Sequence, residues 1–403
     1  RILVQTSLVF FAPTFLLGTI SPVVIRLSLS DLARSGATVG RLYAVSTIGA
    51  IAGTFATGFY LVEVLGTRAI VWAIAILLVA VGLLVGRAWR SRRGAVVAAL
   101  VIAALSFAYG HRDAFRAPCV DESSYYCIAL LDEEVEGRPV RSLALDHLVH
   151  SYVDPDDPTF IGYGYERVYA ELTELHLRDR QGSATLSIGG GGYTFPRYLA
   201  AVHPGTQVDV LEIDPAVTRA AYDLLGLSRD APIRTYNTDA RVWFMEQEPE
   251  GRYDVVYGDA YNDLSVPYHL TTVEFDRMVR RALKPDGVLM ANVIDNYKTG
   301  EFLRAYIRTV SEVFEHVYLL ALGPAWDRDG AATYVVLASA VPFDMRPLTE
   351  VERPQEGSEK ATTVLPEEAL RGYLATGRRI VLTDDYAPVD NLVAPIFIER
   401  ETW

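Results

Sequence analysis

Hydrophobic positions change character near residue 110. Before it they form long runs with few charges. After it they come in short blocks separated by polar residues. Four of the early runs, 3–27, 42–62, 69–86 and 95–109, predict membrane spans. Apolar runs approaching 20 residues cross about 30 Å of hydrocarbon as helices. The first run is broken by Pro13 and Pro22, and the fourth is the shortest. None has the pattern of a cleaved leader. In the second run Gly49, Gly53, Ala56 and Gly58 space small residues for close helix packing in lipid. No ionisable residue sits well inside a run, which argues for packing rather than a polar transport path.

The later blocks predict alternating strands and helices. Positions 125–131 and 141–145, around Glu136-Gly137, read as a β-hairpin. Positions 165–177 have helical periodicity. Strands follow at 184–190, 208–214, 233–239, 253–259, 288–293, 317–322 and 333–337. Helices are expected at 195–202, from Pro215, and at 273–283, the last closed by Lys284-Pro285-Asp286-Gly287. This alternation predicts an α/β fold with a doubly wound, mostly parallel sheet and a ligand site at the strands' carboxyl ends. The expected organisation is a transmembrane helical region (1–110), a β-hairpin region (111–160), a Rossmann-like nucleoside-binding catalytic domain (161–345) and a C-terminal extension (346–403).

Charge narrows the function. The net charge is −13, which argues against a nucleic-acid surface and is compatible with a cationic ligand. Arg26, Arg34 and Arg41 lie between the first two runs, and Arg87, Arg90, Arg92 and Arg93 between the last two. Both loops are expected to face the cytoplasm of a multi-pass membrane protein. A fourth span then carries the remaining chain outside, and a re-entrant segment keeps it inside. The chain starts with Arg1 rather than Met, so it is expected to be part of a longer membrane region. Its two cysteines, Cys119 and Cys127, read either as a disulfide of an oxidising compartment or as two separate thiols. Their spacing fits no zinc pattern.

The candidate chemistry sits at strand ends. Ser187-Ile188-Gly189-Gly190-Gly191-Gly192-Tyr193 reads as strand, turn and helix start, where glycines let backbone approach a ligand. Glu212-Ile213-Asp214 ends the next strand, and Asp239-Ala240 the one after. An acid at the end of the second strand can accept both ribose hydroxyls of a nucleoside, and with the glycine turn and the acid-tipped third strand the set points to an adenosyl ligand. There is no phosphate-cradling P-loop, and the glycine spacing of nicotinamide sites is missing. Asp259 ends the fourth strand, where a carboxylate orients an amine, takes its proton or faces a sulfonium. His147, His150 and His269 are candidate proton carriers. Tyr193, Tyr261 and Tyr268 are candidates for stacking on adenine or lining an amine pocket.

Over about 125–293 these motifs resemble the polyamine aminopropyltransferases, including spermidine synthase. Leu145-Asp146 looks like that family's gating strand, and Tyr165-Glu166 like its Tyr-His-Glu segment. Asp259-Ala260-Tyr261, Pro267-Tyr268-His269-Leu270-Thr271-Thr272, Glu274-Phe275 and the stretch 382–390 resemble the membrane-fused spermidine-synthase-like branch. The resemblance implies a class I S-adenosylmethionine-binding fold with Gly189, Gly190, Gly191, Glu212, Asp214 and Asp239 at the adenosyl moiety. Glu212 would bind ribose and Asp239 the adenine amino group. Asp259 would be the base for an attacking, putrescine-like amine. Tyr165, Glu166, Tyr261, Asp263 and His269 would line the substrate side. The co-substrate would be decarboxylated S-adenosylmethionine, or S-adenosylmethionine, with no permanently bound cofactor. The partners implied are the small amine, membrane lipid and, by analogy, further copies of the chain.

The chain departs from the family at the diamine side. Gly192 stands where an acid is expected after the third glycine. Asp259-Ala260-Tyr261-Asn262-Asp263 replaces Asp-Ser-Ser-Asp-Pro, and the family histidine beside Tyr165-Glu166 has no counterpart. Asp263, Asp384, Asp385 and Asp390 are candidate replacement acids. Two rival readings follow. One is an S-adenosylmethionine-dependent methyltransferase, which Gly192 favours because an acid there would repel a methyl donor's carboxylate. The other is a non-catalytic nucleoside-binding or regulatory domain on transporter-like helices.

Overall fold

The computed structural model describes residues 2–29, 35–86, 119–261, 266–323, 326, 329–349 and 362–400. The chain divides into two compact units, 1–115 and 116–403. Among the described residues the first contains three helices, α1 (Ile2–Ser28), α2 (Ser35–Ala56) and α3 (Val62–Gly86). A π-helical turn, Thr57–Leu61, follows α2. Their apolar side chains point outward: Phe11, Phe55 and Leu77 are 69%, 60% and 61% exposed. Among the described residues one helical stretch, Ser35–Leu61, is long and apolar enough to cross a membrane. Two further apolar helical stretches, Pro13–Ser28 and Ala69–Gly82, are shorter. Of the three expected spans that fall in the described residues, one meets the length and hydropathy of a crossing. The fourth expected span, 95–109, and the arginines at 34, 87, 90, 92 and 93 lie outside the described residues.

The second unit begins with a four-stranded antiparallel sheet where the sequence predicts a hairpin. Its strands are β1 (Asp121–Glu122), β2 (Cys127–Val135), β3 (Arg138–Leu145) and β4 (Leu148–Val153), in that order. Two tight turns connect β2, β3 and β4, with Glu136, Gly137 and Asp146 at positive φ. Cys119 and Cys127 are joined as a disulfide, closing the loop that holds β1.

The main sheet has eight strands. β5 (Ala184–Ile188), β6 (Gln207–Leu211), β7 (Ile233–Tyr236), β8 (Tyr253–Gly258) and β9 (Leu283–Asp295) pair in parallel. β10 (His316–Leu322), β11 (Ala332–Ser339) and β12 (Thr362–Val364) are antiparallel, so the sheet is mixed. The strand order is β12-β10-β11-β9-β8-β5-β6-β7. The turn expected at Lys284-Pro285-Asp286-Gly287 is absorbed into β9 as a register shift opposite Tyr253 and Val255. Asp254 anchors it there, accepting from Lys284 Nζ at 2.7 Å and Arg180 at 2.9 Å.

Helices cover both faces. α4 (Gly164–Leu177) and α5 (Thr194–Val202) pack on one. α6 (Pro215–Leu224) links the main sheet to the small one: Ala216, Val217 and Ala220 meet Ile128, Leu143 and Val153. On the other face lie α7 (Ala240–Gln247), α8 (Val273–Ala282), α9 (Phe302–Ser311), α10 (Glu367–Ala375) and α11 (Val389–Arg400). β9 shows why two layers form. Val288 and Met290 face α4 and α5, while Leu289, Ala291 and Val293 face α8 and α9, which is the two-residue period of a strand buried on both sides. The C-terminal residues up to Ile396 contribute to this core, with β12 at the sheet edge and α10 and α11 in the second layer.

Candidate active site

The strand ends open into a cavity of about 630 Å³. The glycine turn after β5 forms its floor. Gly189 has φ +102°, and a Cβ there would lie 2.4 Å from Asp259 O. Only glycine lets the turn pass so close to the β8 end. Asp259 N in turn donates to Ile188 O at 2.9 Å. The nucleoside motif and the candidate base are therefore held together by backbone.

Glu212 is 6% exposed beside this turn. Its carboxylate accepts from Gly190 N at 2.8 Å, Gly191 N at 3.3 Å and Asp214 N at 2.9 Å. Burial pushes its pKa up, and the three amides oppose that. Asp214 is placed differently. Its carboxylate caps α6, accepting from Ala216 N at 2.8 Å, and accepts a second bond from Ser123 Oγ. It organises the loop beneath Tyr125 and Tyr126 rather than facing the cavity, which those two tyrosines do line. Asp239 caps α7 through Val242 N, and its other oxygen lies 2.9 Å from His269 Nε2.

Asp259 is the centre of the site. Tyr165 OH donates to one carboxylate oxygen at 2.7 Å and Asn292 Nδ2 to the other at 2.8 Å. Burial raises its pKa to about 6 against the pull of these two bonds. Glu166, in the first turn of α4, accepts from Tyr163 N at 3.3 Å. Burial, and then the charge of Asp259, push it to about 8.

The structure brings together Gly189, Gly190, Gly191, Glu212, Asp239, Asp259, Tyr165, Glu166, Tyr261 and His269 around one cavity. Tyr261 contributes its ring, but its hydroxyl is spent on backbone. It donates to Asn292 O and accepts from Ile294 N, both at 2.9 Å. These are β9 groups just past the last residue paired with β8, so the phenol replaces a missing strand partner. Asp263 lies outside the described residues. Of the tail acids, Asp384 pairs with Arg241 and accepts from Thr272 Oγ1, Asp385 is exposed, and Asp390 lines the cavity. His150 lines it too.

Sequence reasoning missed Asn292, Ser151 and Tyr126. Asn292 had a signal: it is a lone amide in the apolar run of β9, at the end where this fold puts ligands. Ser151 accounts for a departure in the glycine turn. Its Oγ accepts from Gly192 N at 2.8 Å, so β4 occupies the space an acidic side chain would need.

Five carboxylates line the cavity: Glu166, Glu212, Asp239, Asp259 and Asp390. Among the described residues no lysine or arginine does. No group of three or more His, Cys, Asp or Glu side chains among them is arranged to hold a metal ion.

No protein-family model matches the chain. It is 33% identical over 139 residues to a probable polyamine aminopropyl transferase of Bifidobacterium longum, covering 34% of this chain and 30% of that one. It is 30% identical over 164 residues to a polyamine aminopropyltransferase of Vibrio vulnificus, covering 40% and 52% respectively. Identity is also 30% over 281 residues with polyamine aminopropyltransferase 2 of Streptomyces coelicolor, covering 63% and 48%. The matches thus span about a third to a half of these relatives' own lengths. Among solved structures, a probable spermidine synthase from Corynebacterium glutamicum superposes with a TM-score of 0.57 at 21% identity, covering 66% of this chain and 95% of that one. Identity that low speaks for the fold. The chain is therefore similar in sequence to polyamine aminopropyltransferases and shares its fold with a probable spermidine synthase.

Proposed function

We propose that the 116–403 unit is an aminopropyltransferase that moves the aminopropyl group of decarboxylated S-adenosylmethionine to an amine acceptor. One observation carries this reading: a cavity centred on Asp259 is lined by five carboxyl groups, of which Glu166 is raised to about 8 by burial, and, among the described residues, by no lysine or arginine. Such a lining favours a sulfonium donor and an amine acceptor, both cationic. The acceptor's neutral nitrogen attacks the methylene carbon beside the sulfonium. The new C–N bond forms as the C–S bond breaks, and its electron pair returns to sulfur, leaving methylthioadenosine. The attacking nitrogen loses its proton to Asp259, which Tyr165 and Asn292 orient. Glu212 is suited to the ribose hydroxyls and Asp239 to the adenine amino group.

Gly192 favours a second reading, methyl transfer from S-adenosylmethionine, since no acid stands there to repel the donor's carboxylate. Against it, no lysine or arginine among the described residues lines the cavity to receive that carboxylate. Calorimetry with the two donors and methylthioadenosine separates the readings. Preference for the decarboxylated donor supports aminopropyl transfer, and binding of none of the three overturns both. Asp259→Asn is expected to lower kcat about 10²- to 10⁴-fold with donor affinity nearly kept. Unchanged turnover would rule Asp259 out as the base.

We also propose that the 1–115 unit tethers the enzyme to a membrane, a reading supported by the helical stretch Ser35–Leu61. The expressed chain should stay in the membrane fraction through an alkaline carbonate wash. Release into the supernatant would contradict the tether.

A further inference from the structure

α8 buries an acid that the proposed chemistry does not use. Val273, Asp276, Val279 and Ala282 recur every three residues along the helix, and all four are buried. Asp276 thus holds a core position. It is 1% exposed, and its Oδ2 has no hydrogen-bond partner among the described residues. Burial, and then the charge of Glu274, keep its carboxyl well above the usual carboxylate range. The group is therefore a neutral acid with an O–H to donate.

A second unpartnered atom lies on the strand beside the candidate base. Asn292 Nδ2 donates to Asp259 at 2.8 Å, while Asn292 Oδ1 is buried with no partner among the described residues. The residue is 8% exposed. Asp276 and Asn292 line one small cavity of about 40 Å³, with Gly258 and Ala260 of the β8 end. A single water needs roughly 10–15 Å³ and two or more polar partners. Tyr261, Thr271 and Tyr306 also line this cavity and carry hydroxyls. Among the described residues no lysine, arginine or histidine lines it. The titratable groups around the pair are Glu274 on α8, Tyr261 after β8 and Tyr306 on α9, with Tyr165 and Glu166 of α4 at Asp259. None of them is a cation, so nothing here compensates an ionised Asp276.

We propose that water in this cavity bridges the carboxylic O–H of Asp276 to Asn292 Oδ1, which makes Asp276 a positioning residue for Asp259. The bridge fixes the Asn292 amide with its N–H toward the Asp259 carboxylate. In the flipped amide Oδ1 would face that carboxylate and repel it. No proton passes between the two acids, since an amide stands between them. The inference rests on the reading of Asp259 as the base and adds a residue from the opposite face of the sheet that tunes it.

The test is pH-difference infrared titration of the full chain in detergent, with Asp259→Asn identifying the Asp259 band. It needs no turnover. Asp276→Leu is close in size but cannot donate, and is expected to raise the Asp259 pKa by about half a unit or more. It should also lower kcat/KM at pH 7 about threefold or more. Asp276→Asn can still donate through its amide and should stay near wild type in both. The protonated-carboxyl band of Asp276, present in wild type at neutral pH, should be missing from both variants. A lowered Asp259 pKa in Asp276→Leu would mean that Asp276 is an ionised neighbour, and would overturn the proposal. So would an unchanged pKa, or Asp276→Asn shifting it as far as Asp276→Leu. Thermal melting checks folding, and the smaller Asp276→Val replaces Asp276→Leu if the latter fails to fold. A pKa that depends on Asp276 in a chain without aminopropyl transfer would support the bridge and overturn only the reaction.

Discussion

At Gly192 a Cβ would lie 2.7 Å from Ser151 Cβ and 2.8 Å from Val153 Cγ2. Neither neighbour is the end of a flexible chain, so an acid here must push β4 away from the glycine turn. Gly192→Asp is expected to cost about 1–3 kcal/mol, read as a lower thermal midpoint. Adding Ser151→Gly should return part of the loss, because the two changes share one contact. A Gly192→Asp chain as stable as wild type would show that β4 does not exclude the acid. The same residue shows what was legible in the sequence. That an acid is missing can be read from the glycine run alone. What fills its place cannot, because Ser151 comes from a strand 41 positions away. Asp259 and Glu212 were legible because they stand at strand ends around the glycine turn, where this fold puts ligands. Tyr261 was legible as a site residue but not in its role, which depends on unpaired backbone of β9.

At the level of elements, the strongest coupling between local structure and site is the loop closed by Cys119 and Cys127. It holds Ser123, which donates to Asp214, and Tyr125 and Tyr126, which line the cavity. Burial, then the charges of Asp214, Asp239 and Glu212, raise the Tyr125 pKa. Replacing both cysteines by serine is expected to cost about 2 kcal/mol and to weaken methylthioadenosine binding several-fold. Equal affinity with and without the disulfide would separate the loop from nucleoside recognition. Among the elements read correctly, β5, β6 and β8 are short, mostly apolar strands buried on both faces. β4 was missed because His150 and Ser151 break its pattern, and those polar positions are the ones the cavity and the glycine turn use. α7 and α9 were missed for another reason. Arg304 on α9 is 6% exposed and is hydrogen-bonded to backbone carbonyls of Gly300 and Tyr373, so a core-facing position reads as polar.

For the whole 116–403 unit, burial raises the pKa of several carboxyls, Asp259, the base of the proposed chemistry, among them. Glu166 is raised to about 8, Asp259 and Asp295 to about 6, and Asp276 well above the usual range, in each case chiefly by burial. In the unfolded chain these groups titrate near pH 4. The folded chain therefore binds protons more tightly, and the associated stability is fully present below about pH 4. It is lost as pH rises through 6 and then 8. Asp254, Asp286 and Asp384 act in the opposite sense. Their pKa values are lowered by cationic partners, so they remove stability only as pH falls below about 4. Thermal stability should accordingly peak near pH 5 and decline by several degrees toward pH 9. Catalysis should run the other way, with kcat/KM climbing through an apparent pKa near 6 as Asp259 ionises. Scanning calorimetry and initial rates over the same buffers test both halves. A thermal midpoint that stays level or rises from pH 5.5 to 9 would mean that the cavity carboxyls are not held protonated. Burial would then not be what sets the Asp259 pKa, and the base would have to be tuned by contacts outside the described residues.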